Sequence, residues 1–322
     1  MLCINSSSHD TYFNIASEEY LLKRFTDDIF LLYRNLPSVI VGKHQNTLAE
    51  IDMKFVTKNG IRVVRRLSGG GAVYHDMGNL NFTFIRNGSE GKLVDFRGFT
   101  QPIVSALATI GIQAKFEGHN SLTVNGKKVS GNAEHVFKNR VMHHGTLLFS
   151  TNLVHLSRIL YVDENRYNDK AVKSVRANVT NISEHLAKSM TIENFTKNIW
   201  EFVIKSNANA NEYVLSEDDH TQIQKLCKEK YTNWEWNFGY SPKYSLKRDI
   251  KSLSGNLSIS LKIDKGKITY VEITDSNLPE NIEISIKKSL IGCDHEANNL
   301  WQALQKSTLD TELKKTILEG IV

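Results

Sequence analysis

The stretch Arg65-Arg66-Leu67-Ser68-Gly69-Gly70-Gly71-Ala72-Val73-Tyr74-His75-Asp76 sets three consecutive glycines between a strand-like run and a second extended segment. Glycine loses more conformational freedom on folding than any other residue, so three in a row need a geometric reason. A tight turn uses one or two residues at positive φ, fewer than are present. The other reading is a loop lying against a ligand, where Arg65, Arg66 and Ser68 beside backbone N–H groups suit a phosphate or carboxylate. Both readings stay open on these residues alone. The run opens no helix and does not read G-x-x-x-x-G-K-[ST], which excludes the dinucleotide and P-loop signatures.

Around this loop the first half of the chain alternates helix-like and strand-like segments without a repeat. The apolar spacing of 13–25 predicts a helix, with acids early and bases late as the helix dipole favours. Extended runs follow at 29–33, 38–41, 61–66 and 79–85, with a short helix at 52–58 and another helix at 99–110. Asn125-Gly126 between 121–124 and 127–130 is a hairpin signal, and 140–149 reads as a further strand. Residues 161–181 are polar and aperiodic, a length of loop that is usually functional or disordered. Thr191 and Ser216, the latter with Asp219 three residues on, are helix N-cap candidates. The composition changes again at Trp234, where an aromatic-rich segment leads to strands at 257–263 and 268–273 and then helical patterns from Glu280. The expected organisation is a catalytic domain over 1–232 and an accessory domain over 233–322, both α+β, with mixed sheets and flanking helices.

Composition narrows the class. With 40 Lys and Arg against 35 Asp and Glu over 322 residues, the net charge of +5 tilts mildly toward anionic partners and argues against a dedicated nucleic-acid binder. Cys3, Cys227 and Cys293 are far apart, so neither a disulfide framework nor a zinc site is suggested. No secretory leader or run of ~18 apolar residues is present. A cytoplasmic protein with no membrane and no nucleic-acid partner is expected.

Three further segments could carry chemistry. In G-K-K-V-S-G-N-A (126–133), strict alternation puts Lys128, Ser130 and Asn132 on one strand face, with Val129 and Gly131 on the other. Lys128 could then enter a site or simply be solvated. In H-H-G-T (143–146), adjacent histidines point to opposite faces, which favours a structural histidine over a metal pair. Asp76 and Asn79 around Gly78 suit turn hydrogen bonds. S-V-R-A-N-V-T-N (174–181) closes the polar loop and reads as a solvated loop or a mobile lid.

Taken in order, these elements resemble the lipoate-protein ligase A family. The matching segments are N-I-A-S-E-E-Y-L (14–21), P-S-V-I-V-G-K-H-Q-N (37–46), R-R-L-S-G-G-G-A-V-Y-H-D-M-G-N-L-N (65–81), G-K-K-V-S-G-N-A (126–133), H-H-G-T-L-L (143–148), S-V-R-A-N-V-T-N (174–181) and W-E-W-N-F-G-Y-S-P (234–242). The resemblance implies a catalytic domain of the fold shared by biotin ligases and class II synthetases, plus a small accessory domain. It implies that lipoate and ATP give lipoyl-AMP, with Mg2+ as cofactor. The lipoyl group then passes to a lysine of acceptor domains, such as the E2 subunits of 2-oxoacid dehydrogenases or the glycine-cleavage H protein.

Carried over residue by residue, the resemblance makes Lys128 the catalytic cation between carboxylate and α-phosphate. Gly69, Gly70, Gly71, Ala72 and Val73 would lie against the acyl chain and adenylate, and Arg65 and Ser68 would position the carboxylate. His75, Asp76, Asn79, Asn81, Ser130, Gly131, Ala133, His144, Gly145 and Thr146 would complete the pocket, and Ser174, Val175, Arg176 and Val179 the lid. The chain departs from the family at His119-Asn120-Ser121, where R-N-D is usual and the aspartate would help hold magnesium. It also has His135 where an arginine is common, and Thr47-Leu48 where P-W is common. The rival readings are a lipoyltransferase fed with preformed lipoyl-AMP, a cysteine-dependent octanoyltransferase and a non-catalytic lipoyl-binding protein. No cysteine neighbours the motifs, which disfavours the second. A biotin ligase is disfavoured because its G-R-G-R-x-G loop is absent.

Overall fold

The computed structural model describes residues 1–88, 94–160, 166–252, 255–274 and 276–322, without the side chains of 252, 255 and 256. The first five residues of the expected polar loop, 161–165, therefore lie outside the described residues.

The chain starts with β1 (Leu2–Asn5), which the 13–25 pattern gave no sign of. Asp10 then accepts a hydrogen bond from Phe13 N at 3.1 Å and starts α1 (Thr11–Arg24) slightly before that pattern. β2 (Ile29–Tyr33), β3 (Ser38–Val41), the short helices α2 (Thr47–Glu50) and α3 (Met53–Lys58), β4 (Arg62–Arg65), β5 (Val73–His75) and β6 (Asn79–Asn87) follow. After α4 (Phe96–Thr109) come β7 (Lys115–Glu117), β8 (Ser121–Val124), β9 (Lys127–Phe137) and β10 (Arg140–Leu148), then α5 (Leu153–Ile159). At the hairpin, Asn125 and Gly126 take φ of 50° and 72°, as an Asn-Gly turn between twisted strands requires. The two-residue β11 (Asn168–Asp169), α6 (Ile192–Lys205), the two-residue β12 (Asn211–Glu212) and α7 (Glu217–Leu226) complete the first part. Ser216 and Asp219 form the reciprocal capping box at the start of α7.

Eight strands form the main sheet in the order β12-β1-β2-β6-β10-β9-β8-β7. Its central strands are buried on both faces, which is why β2 reads as an unbroken apolar run rather than an alternating one. Phe30 and Leu32 point to the side covered by α4 and α6, with Phe99, Ile103, Phe195 and Ile199. Ile29, Leu31 and Tyr33 point to the side of α1 and α7, with Leu21, Leu22 and Ile223.

A three-stranded sheet, β4-β3-β5, carries the glycine loop. β4 pairs parallel to β3, whereas β5 returns antiparallel on its other edge. The chain between them must cross the end of β3, where a Cβ on Gly42 would sit 2.0 Å from the Gly70 carbonyl oxygen. The three glycines thus mark a crossover as well as a cleft wall.

The C-terminal part pairs β13 (Tyr244–Ser252), β14 (Gly255–Asp264) and β15 (Lys267–Thr274), packed by α8 (Glu280–Leu290), α9 (Ala297–Gln305) and α10 (Thr311–Ile321). It has its own core around Ile259, Leu261, Ile286, Leu300 and Ile317. β13 lies upstream of the strands the sequence pattern predicts, its Tyr244, Leu246 and Ile250 alternating into that core. Two pieces from before residue 232 join this unit: β11 pairs with Tyr244 and Ser245, and Leu48 packs in its core. Among the described residues no helix is long and apolar enough to cross a membrane.

Candidate active site

Two adjoining cavities meet beside the glycine loop, an inner one of about 280 Å³ and an outer one of about 620 Å³. They share a wall of Ala72, Val73, Lys128, Gly131, Thr146, Lys173, Ser174 and Val175. Gly70, Gly71, His75, Asn81, Ala133, His144 and Gly145 line the inner cavity only, and Arg176 and Val179 the outer one only. Among the residues expected at the site, Arg65, Ser68, Gly69, Asp76, Asn79 and Ser130 line neither cavity.

Arg65 is the largest correction. Its side chain is fully buried and its guanidinium is saturated by the protein itself. Nε donates to Trp236 O at 2.9 Å, and Nη1 donates to the carbonyls of Gly42, Lys43 and Gln45 at 3.0, 3.0 and 2.8 Å. Nη2 donates to Thr47 Oγ1, Asn237 O and Ser241 Oγ at 2.6, 3.0 and 3.0 Å. A cation with these acceptors has nothing left to offer a ligand. It ties the W-E-W-N-F-G-Y-S segment to the loops after β3.

Its neighbour Arg66 takes the opposite face and lines the inner cavity. Nη2 donates to Gly69 O and Gly71 O at 2.6 and 2.8 Å, Nη1 to Ile40 O at 3.0 Å and Nε to Ser68 Oγ at 2.9 Å. The loop is therefore wrapped round a buried guanidinium, whose pKa burial draws down to about 10, still a cation at neutral pH. Ser68 Oγ lies 2.6 Å from His144 Nε2, and His144 Nδ1 lies 2.9 and 3.0 Å from the two Glu18 oxygens. Glu18 on α1 also accepts from Thr83 and Tyr33 at 2.5 and 3.0 Å. Ser68 thus supports the loop from behind rather than facing a substrate. Asp76 accepts from Gly78 N at 2.9 Å and Asn152 N at 2.8 Å, the turn role read in the sequence, and Asn79 donates to Asn81 Oδ1 at 2.8 Å.

The glycine run is now explained in part by its contacts. Gly70 sits at φ +89°, a left-handed conformation that side chains rarely adopt. A Cβ on Gly71 would lie 3.0 to 3.2 Å from Ser174. That serine accepts from Ala72 N at 2.9 Å and Gln45 Nε2 at 3.1 Å and donates its hydroxyl proton to Glu50 Oε2, which also accepts Ser174 N at 3.1 Å. Burial raises the Glu50 carboxyl above its ordinary range, although the bonds from Ser174 oppose the shift. The 174–181 segment is thus docked along the cleft, by Ser174 on the glycine loop, by Lys128 N donating to Asn178 O at 2.8 Å and Thr180 N donating to Lys128 O at 3.0 Å, and by Asn181 on Thr151. Gly71→Ala should push Ser174 out and speed proteolytic cutting of this segment at least severalfold, with melting temperature little changed. Limited proteolysis timed against a thermal melt checks it.

At Lys128 strict alternation fails. Leu122 pairs with Ser130 but Thr123 pairs with Lys128, so Val129 is an extra residue, a bulge. The bulge takes Ser130 off the face of Lys128. Lys128 shares the inner cavity with Gly131, Asn132 and Ala133, while Ser130 is fully buried. An ideal Cβ on Gly131 would stand 3.3 Å from both Lys128 Cε and Nζ, so a side chain there would press on the ammonium and shift it by a few tenths of an ångström. Among the described residues Lys128 Nζ has no hydrogen-bond or ion-pair partner, and burial lowers its pKa.

The two histidines separate as their strand positions require. His143 Nδ1 lies 2.8 Å from Glu134 Oε1 in the core, stacked on Phe99, whereas His144 lines the inner cavity. Among the described residues no group of three or more His, Cys, Asp or Glu could hold a metal, and Glu50 is the sole carboxylate lining either cavity, one oxygen already taken by Ser174. These residues do not fit a protein-held Mg2+ site.

The family model of the lipoyl protein ligase A/B catalytic domain matches residues 10–203, and that of the bacterial lipoate protein ligase C-terminus matches residues 241–322. The chain belongs to the lipoate-protein ligase family. It is 39% identical over 305 residues to the lipoate-protein ligase LplJ of Bacillus subtilis, covering 94% of this chain and 92% of that one. Among solved structures it resembles the P. falciparum LipL1 complex with lipoate, at 25% identity and TM-score 0.64 over 99% of each chain. It also resembles a lipoate-protein ligase A bound with ATP, at 25% identity and TM-score 0.63 over 74% of this chain and 98% of that one.

In this ligase several cleft residues escaped the sequence reading. Arg66 stands beside Arg65 in the motif as a candidate for the ligand loop, and residue type alone does not tell which of the two enters the cleft. Glu50 lies four residues past Asn46 and reaches Ser174 only through the fold. Ile15, Tyr33 and Ile40, which line the inner cavity, look like ordinary core residues.

Proposed function

We propose that the chain activates lipoate with ATP and transfers the lipoyl group to a lysine of an acceptor domain. The observation that carries this is Lys128, a half-buried cation with no partner among the described residues, at the wall shared by the two cavities. A desolvated lysine without an acid beside it is poised for an anion, and the junction of an acyl cavity with a nucleotide cavity is where carboxylate and α-phosphate would meet.

In the inner cavity Ile15, Ile40 and Val73 suit an acyl chain. In the outer one Tyr74, Leu148, Leu156, Leu160 and Tyr167 suit a purine. The carboxylate oxygen of lipoate attacks the α-phosphorus, the bond to the bridging oxygen breaks, and pyrophosphate leaves. The acceptor ε-amine then attacks the acyl carbon, AMP leaves with the carbonyl–oxygen bond electrons, and the amine proton passes to solvent. Lys128 stabilises the negative charge that gathers at phosphorus in the first step and on AMP in the second. The docked 174–181 segment excludes water from the mixed anhydride. Among the described residues the cleft offers no carboxylate cluster that would hold Mg2+ by itself. The acceptors are E2 lipoyl domains and H protein, the catalytic unit is 1–232, and the compartment is the cytoplasm. An acceptor domain incubated with the enzyme, lipoate and ATP should gain the mass of one lipoyl group at a single lysine, and no gain would refute the reading.

A further inference from the structure

We propose that Glu50 is the general base of the transfer step, its carboxylate taking a proton from the acceptor lysine so that the free amine can attack the lipoyl adenylate. The inference rests on the ligase reading above and adds to it the group through which the amine's proton reaches solvent.

A lysine side chain is an ammonium at neutral pH and has no lone pair until it loses a proton. The cleft it must enter is already cationic, with Arg66, Lys128 and Lys173 on its walls. Among the described residues Glu50 is the sole carboxylate lining either cavity. It is therefore the one group there that can both attract an ammonium and accept its proton.

Its place follows from the segment docked over the cleft. Oε2 accepts Ser174 N at 3.1 Å and the Ser174 hydroxyl, and that hydroxyl oxygen in turn accepts Ala72 N at 2.9 Å. Ala72 belongs with Lys128 to the wall shared by the two cavities. One serine hydroxyl thus separates Glu50 from the wall where carboxylate and α-phosphate would meet. Oε1 has no hydrogen-bond partner among the described residues, and it is not one of the unpartnered polar atoms sealed from solvent. The carboxylate keeps that oxygen for the cavity. Lys173 and Asp169, themselves paired at 2.9 Å, act on it electrostatically, and Lys128, Arg176, Tyr74 and Tyr167 are the other titratable groups lining the outer cavity. Burial raises the Glu50 carboxyl above its ordinary range, and a base is most effective as its pKa approaches the working pH.

In the step, one ammonium proton passes to Glu50 Oε1 and the freed lone pair attacks the acyl carbon. The carbonyl–oxygen bond breaks, AMP leaves with its electrons, a second proton leaves the nitrogen for solvent, and Glu50 then gives up its own.

The full-length enzyme tests this with an E2 lipoyl domain as acceptor. Two rates are read, lipoate-dependent pyrophosphate exchange and single-turnover transfer from enzyme preloaded with lipoate and Mg-ATP. In Glu50→Gln, which keeps an oxygen for Ser174, the ratio of transfer to exchange should fall about a hundredfold, as loss of a positioned base does, and unfolded enzyme does not alter that ratio. With hydroxylamine as the nucleophile, an amine already neutral at working pH, the difference between variant and wild type should vanish. Transfer by the wild type should also fall more steeply on acidification than transfer by Glu50→Gln, because the ionised carboxylate is the active form. Ser174→Ala frees the docked segment but leaves the carboxylate, and it should lose less transfer than Glu50→Gln. Equal loss in the two variants, an unchanged ratio in Glu50→Gln, or a raised KM for ATP as its only effect would each overturn the proposal. No exchange by the wild type would instead refute the ligase reading on which it stands.

Discussion

Lys128→Ala should lower kcat for lipoate-dependent adenylation by roughly a hundred- to a thousandfold, as loss of one preorganised charge stabiliser does. The same substitution should leave the fold as stable as before, or slightly more so. Among the described residues Lys128 has no partner to orphan, and its desolvation is unfavourable in the free enzyme. A thermal melt beside the exchange assay separates the two effects. The pH dependence carries the same signature. Burial sets the folded-state pKa of Lys128 below that of the unfolded chain, so the unfolded state binds more protons between the two values. The destabilisation is present at lower pH and relieved as pH rises through that window. Activity runs the other way, because the cation is the useful form, and kcat/KM should decline over the same rise. In Lys128→Ala the stability slope from this group disappears.

Arg65→Ala should do the reverse. Removal of the guanidinium leaves buried carbonyls of Gly42, Lys43, Gln45, Trp236 and Asn237 without this donor, along with the hydroxyls of Thr47 and Ser241. Unsatisfied buried groups of this kind destabilise by on the order of 4 kcal/mol together, even when some relax. Arg65→Lys should recover little, because one ammonium cannot span acceptors spread round a planar fork. The reading is a drop in denaturant midpoint, with residual folded enzyme keeping its KM for lipoate. A raised KM with unchanged stability would return Arg65 to the substrate.

The contrast between these two cations shows what the sequence could carry. Lys128 was found because its motif and its neighbours Ser130 and Gly131 leave room for it. Which neighbours share its face is not legible, since a bulge at Val129 leaves no mark in an otherwise alternating strand. Arg65 and Arg66 are adjacent and alike, and which one enters the cleft depends on the crossover from β4 to β5 over β3. The strands, the Asn-Gly hairpin and the capping box were legible because each rests on local chemistry. The attachment of Ser174 to Glu50, or of β11 to β13, joins residues far apart in sequence, and no periodicity reports such a pairing.

On this proposal the cleft makes its own adenylate. With lipoate, Mg-ATP and labelled pyrophosphate, and with no acceptor present, the enzyme should return label to ATP only when lipoate is added. Absence of that exchange, with transfer from preformed lipoyl-AMP intact, would contradict the account and leave a transferase in its place.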